Sequence, residues 1–137
     1  MTVVLADDSR VTAGVLLVTV VAIAYGGTFL LKVARGREPA TEFQRAFYRA
    51  GHAHAGVLVL LSLVVLLYVD ATGSTGWWRW VAGHGVPIAA ILMPAGFFLS
   101  AAGRGRTRPN RLVVLVWLGA ASLTAGVLAA GVGLLTA

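Results

Sequence analysis

The stretch "FYRAGHAHAG", residues 47–56, sets two histidines, an arginine and a tyrosine at the mouth of an apolar run. His52 and His54 carry the side chains best suited to bind a metal or haem, or to pass a proton near neutral pH. Their spacing limits that chemistry. Two positions on an α-helix are about 200° apart, so the pair does not close on one ion from one helix. The i, i+4 arrangement of zinc hydrolases is missing. Arg49, beside His52, adds positive charge, and Glu42 is the one nearby acid. His52 is therefore expected to be solvated or bound to lipid headgroups. His54 lies deeper, on the stripe of Phe43 and Phe47, and His84 stands in "GHG" further along the chain.

Those side chains must be positioned by apolar segments. Of the 137 residues, 58% are hydrophobic and 12% charged. Soluble domains hold roughly 45–50% apolar and ~25% charged residues. The balance indicates a polytopic membrane protein, because one bilayer crossing needs about 20 mostly apolar residues. Four such segments are expected, over residues 11–33, 50–69, 80–102 and 112–135. In lipid each must satisfy its own backbone groups, so the Val and Ile content does not make them strands. Continuous apolar runs also argue against a barrel, whose strands alternate. The fold class expected is an all-α integral membrane protein, an up-and-down four-transmembrane-helix bundle forming one domain.

Net charge is +6, and it does not signal nucleic acid. The first connection holds Lys32, Arg35, Arg37, Arg45 and Arg49 against Glu38 and Glu42. The third holds Arg104, Arg106, Arg108 and Arg111 with no acid, and the second only Asp70 and Arg79. The positive-inside bias places connections one and three in the cytoplasm and both termini outside. The localisation expected is the bacterial plasma membrane. The N-terminus carries Asp7 and Asp8 and lacks the positive start of a cleaved leader, so span 1 is expected to persist in the mature protein. No cysteine is present, which excludes disulfides and thiol chemistry.

Residues 39–49 read as an amphipathic cytoplasmic extension of the second helix, opened by Pro39. Arg45 and Arg49 on it are expected at anionic headgroups. Trp77, Trp78 and Trp80 cluster at the outer start of span 3, where indoles suit the interface. Small residues recur at four-residue steps: Ala22 and Gly26; Gly96 and Ser100; Ser122, Gly126 and Ala130. Such ridges let helices approach closely, within the chain or between subunits. Tyr25 is expected to seek a partner for its hydroxyl. Pro87 and Pro94 within span 3 are candidate kinks.

Depth constrains the histidines. Counted at 1.5 Å per residue, His54 lies about 6 Å inside one face and His84 about 6 Å inside the other. Nearly 20 Å then separates them in depth, so they do not share one iron within a monomer. Met93 falls near the depth of His54, which makes His54 and Met93 a candidate haem pair. His52, His54 and His84 are the candidate metal ligands. No charged residue is expected inside a span, which weakens a coupled transporter.

"FYRAGHAHAGVL", "GHGVPIAA" and the arginine-rich third loop resemble the uncharacterised small four-span integral membrane proteins of high-GC Gram-positive bacteria. The resemblance covers most of the chain. It implies the fold and no activity. No phosphate loop, carboxylate pair or nucleophile with a base is visible. Two readings stay open. The leading one is a non-enzymatic accessory or interaction subunit, in contact with membrane lipids and assembling as a homo-oligomer or in a larger complex through small-residue faces. The alternative is histidine-dependent haem or transition-metal binding, or transport of a proton or small solute by an oligomer.

Overall fold

A computed structural model describes residues 4–137. Four long helices follow one another: α1, Asp7–Ala34; α2, Glu42–Ala71; α3, Gly76–Ala101; and α4, Val114–Thr136, entered through a 3₁₀ turn at Arg111–Val113. No strand occurs among the described residues. Each helix is long and apolar enough to cross a membrane.

Local chemistry sets the helix ends. Asp7 and Asp8 stand in the first turn of α1, where a carboxylate favours the positive end of the helix dipole. Gly36, with φ +69°, supplies the left-handed step that stops α1. The entry to α2 is a capping box. Gln44 N–H donates to Thr41 Oγ1, and Thr41 N–H donates to Gln44 Oε1, both at 3.1 Å. Helix α2 thus starts after Thr41 rather than at Pro39, and runs unbroken from the amphipathic stretch into the apolar one. Before α4, Asn110 Oδ1 accepts the Leu112 N–H at 2.8 Å.

Successive helices pack antiparallel. Ser9 meets Asp70 at one end of the α1–α2 pair, and Phe29 meets Tyr48 at the other. Between α2 and α3, Leu66 approaches Gly83, and Gly51 approaches Phe98. Between α3 and α4, Gly85 faces Gly126, and Gly96 faces Val116. The chain therefore crosses the bundle four times in alternating directions, and both ends of the described chain emerge at the end that carries Trp77, Trp78 and Trp80.

The bundle is not symmetric. Half of the most apolar stretch of α3 is buried, against 6% of that of α1. Helix α3 is the centre, α2 and α4 flank it, and α1 leans on α2. One core cluster joins Leu16, Leu58, Val59, Ala89 and Met93. A second joins Val65, Val69, Val86 and Ala129 nearer the tryptophan end. Pro87 and Pro94 are both buried, and α3 stays helical through them. Ser122 Oγ donates to Gly85 O at 2.8 Å, a cross-helix bond in the turn before Pro87.

At the arginine-rich end, the first and third connections are tied together by Gln44, which is 3% exposed. Its Nε2 donates to Ala101 O at 2.9 Å and Gly103 O at 2.6 Å, satisfying carbonyls that the end of α3 leaves open. Thr41 Oγ1 also donates to Arg106 O. Asn110 then anchors the third loop through Ser100 O and Leu99 O.

Candidate functional site

The three histidines occupy three separate environments. His52 is half-buried against α1, where Gly26 and Gly27 leave room for it. An added Cβ at Gly27 would lie 3.5 Å from the imidazole. The imidazole thus packs on one side against two glycines of α1 and stays partly exposed on the other. His54 is also half-buried. Its ring lies 5.0 Å from Phe97, and its Nδ1–H donates to Ala50 O at 2.7 Å. His84 stacks on Trp80 at 4.9 Å, with its Nδ1–H donating to Trp80 O at 3.0 Å. For both, the carbonyl acceptor makes Nδ1 the donor.

Met93, the proposed companion of His54, is buried beneath α4, where a Cβ on Gly119 would collide with its side chain. Among the described residues no group of three His, Cys, Asp or Glu side chains is placed to hold a metal.

The structure assembles a different polar cluster at the opposite end from the arginine-rich loops. Asp70 lies in the last turn of α2, its side chain 2% exposed. Arg79 lies in the first turn of α3. Both were expected in a connection, with no buried charge in any span. Instead α2 and α3 extend past the expected limits, and the short turn between them folds the pair inward. Asp70 Oδ1 accepts from Arg79 Nη1 at 2.7 Å and from Ser9 Oγ at 2.9 Å. Its Oδ2 accepts the Ala6 N–H at 3.0 Å. Arg79 Nη2 reaches Asp8 at 3.0 Å and Ser9 Oγ at 3.2 Å. One carboxylate and one guanidinium thus clamp the start of α1 to the junction of α2 and α3. The acids at 7, 8 and 70 and the arginines at 10 and 79 signalled a charged end, but not that three helices would meet there.

The small residues divide into two sets. Gly96, Ser100, Gly126 and Ala130 are buried, and Ser122 bonds across to α3. Gly26 accommodates His52. Ala22 instead faces outward, on an exposed face of α1 that it shares with Arg10, Val11, Gly14, Val15, Val18 and Thr19. Tyr25 also points away from the bundle, 78% exposed, rather than toward a partner inside it. Trp77 and Trp80 are exposed, whereas Trp78 packs near Gly133 of α4. A fourth tryptophan, Trp117, is exposed toward the arginine-rich end.

Ion pairing separates the two ends. Three ion pairs occur among the described residues, and all belong to the clamp or its neighbour Arg10. The basic residues of the first and third connections, Arg45 and Arg49 included, make none of them. The fold and these sites define a class: a four-helix protein whose every helix is long and apolar enough to cross a membrane, latched by charge at one end and cationic at the other. No family model matches the chain, and neither a curated protein nor a solved structure matches it.

Proposed function

We propose that this chain is a multi-pass protein of the bacterial plasma membrane, with its arginine-rich end cytoplasmic and both chain ends outside, and that it is a non-enzymatic accessory subunit assembling through α1. The charge asymmetry supports the orientation. Unpaired arginines face the side from which basic loops are not translocated, while the acids at the other end are paired. The absence of cysteine allows a clean test. Single cysteines placed at Glu38 and Ser74 should differ in intact cells. A membrane-impermeant maleimide is expected to label the second and to reach the first only after lysis; the reverse pattern would invert the topology.

The single observation that carries the assembly role is the outward face of α1. That helix is the least buried of the four, and a Cβ on Gly14 would meet nothing within 4 Å. Lipid provides no hydrophobic drive for helix association, so close backbone approach along the small-residue face with Gly14 and Ala22 supplies the contact. Gly14→Leu puts a bulky side chain on that face without touching the bundle. In gentle detergent the wild-type chain is expected as an oligomer or with a co-purifying protein. The variant is expected as a folded monomer. A wild-type monomer without companions, or a variant with unchanged mass, would remove this reading.

A further inference from the structure

We propose that the seam between α1 and α2 at the arginine-rich end binds the headgroup phosphate of an anionic phospholipid, gripped by Arg45 and Arg49. A cavity of about 80 Å³ opens there, lined by Leu30, Val33, Ala34, Arg45, Tyr48 and Arg49. Its lining complements an anionic lipid: two cations and a phenol stand beside aliphatic side chains. Arg45 and Arg49 are one helical turn apart, so both guanidinium groups serve one face of α2. Arg45 is oriented by its Nε–H, which donates to Ala40 O at 3.0 Å. Neither arginine takes part in an ion pair, although Glu38 and Glu42 belong to the same connection.

Tyr48 gives the seam a fixed wall. Its ring meets Phe29 of α1 edge-on at 5.3 Å and stacks on Phe98 of α3 at 5.7 Å. Gln44 Nε2 approaches the phenol oxygen at 3.5 Å, which leaves the hydroxyl proton to donate toward a headgroup. Forked N–H donors match phosphate geometry, and two charge-assisted contacts fix its position. Phe29 and Leu31, the chain neighbours of Leu30, are exposed and extend the apolar surface of α1 beside the cavity. An acyl chain gains from that continuity; free inorganic phosphate does not. A choline headgroup would bring a cation toward Lys32, Arg35 and Arg37, so the site favours a headgroup of net negative charge.

This inference rests on the membrane placement but not on the assembly role, and the cysteine labelling above tests the placement separately. The test is native mass spectrometry of the full chain in mild detergent, with phosphatidylglycerol, phosphatidylcholine or inorganic phosphate added. Phosphatidylglycerol should stay bound under activation that strips phosphatidylcholine. R45Q/R49Q should lower its retention by about tenfold, the loss expected for roughly 1.4 kcal/mol of contact. R104Q/R108Q removes the same charge from the same end and should leave retention unchanged. Equal loss in the two variants, equal retention of the two lipids, or displacement by millimolar phosphate would each overturn the proposal. If R45Q/R49Q loses its helical circular dichroism, R45K/R49K takes its place. That variant keeps the charge without the fork, so weaker retention is expected and unchanged retention overturns the proposal.

Discussion

Arg79→Met should release the start of α1 from the bundle. The buried Asp70 carboxylate has three donors, of which Arg79 alone brings a compensating charge. Removing one partner of a buried ion pair costs about 3–5 kcal/mol, because the remaining charge stays desolvated. Arg79 is 19% exposed and the clamp lies at an end of the bundle, so the lower part of that range is expected here. The Asp8 contact adds little, since Asp8 is 56% exposed and such pairs contribute about 0–1 kcal/mol. The loss should be local as well as global. Helix α1 is mostly unburied, so it is the element whose opening requires the least. Unfolding by SDS titration, with protease cleavage near residue 10, checks both effects. D70N/R79M should recover much of the loss, because no bare charge remains. A loss below about 1 kcal/mol for Arg79→Met would mean that water reaches Asp70 and the clamp is only a surface pair.

Gly85→Ala should break the α3–α4 seam. A Cβ at Gly85 would lie 2.5 Å from Gly126 Cα and 2.9 Å from Ser122 O. Both atoms are backbone, so no side-chain rotation relieves the clash, and α4 must move outward. That movement also stretches the Ser122–Gly85 hydrogen bond, now 2.8 Å. Overfilling a packed contact costs about 1–3 kcal/mol. Alanine is the better helix former by up to about 1 kcal/mol, so the net destabilisation falls toward the lower half of that range. Gly131 is the control, because its Cβ would meet nothing within 4 Å. Gly131→Ala should be neutral or stabilising in the same SDS titration. Equal behaviour of the two variants would show that the glycine contact does not hold α4 in place.

Gln44 illustrates how far the local pattern could be read. "TEFQ" carries the spacing of a capping box, and that signal alone marks Thr41 rather than Pro39 as the start of α2. The second task of Gln44, donating to the end of α3, depends on loops more than fifty residues apart in sequence. The histidines show the opposite limit. Their types suggest chemistry, but their neighbours are chosen by which helix faces meet. His52 found glycines, His54 a phenylalanine and His84 a tryptophan.

From its sequence alone the chain declares four long apolar helices, short antiparallel connections and a cationic end opposite a tryptophan-bearing one. These properties follow from length, composition and charge, which act residue by residue. Small-residue spacing also marked Gly96, Ser122, Gly126 and Ala130 as packing positions, but marked Ala22 equally, although it faces out. Only the tertiary structure decided that α3 sits at the centre, that α1 stays peripheral, and that Asp70 and Arg79 close a buried clamp. The physical reason is that helices apolar on every side carry no hydrophobic stripe pointing to a core. Partner choice then passes to shape and hydrogen bonding, as where Gly85 meets Gly126 and where Asp70 gathers three donors.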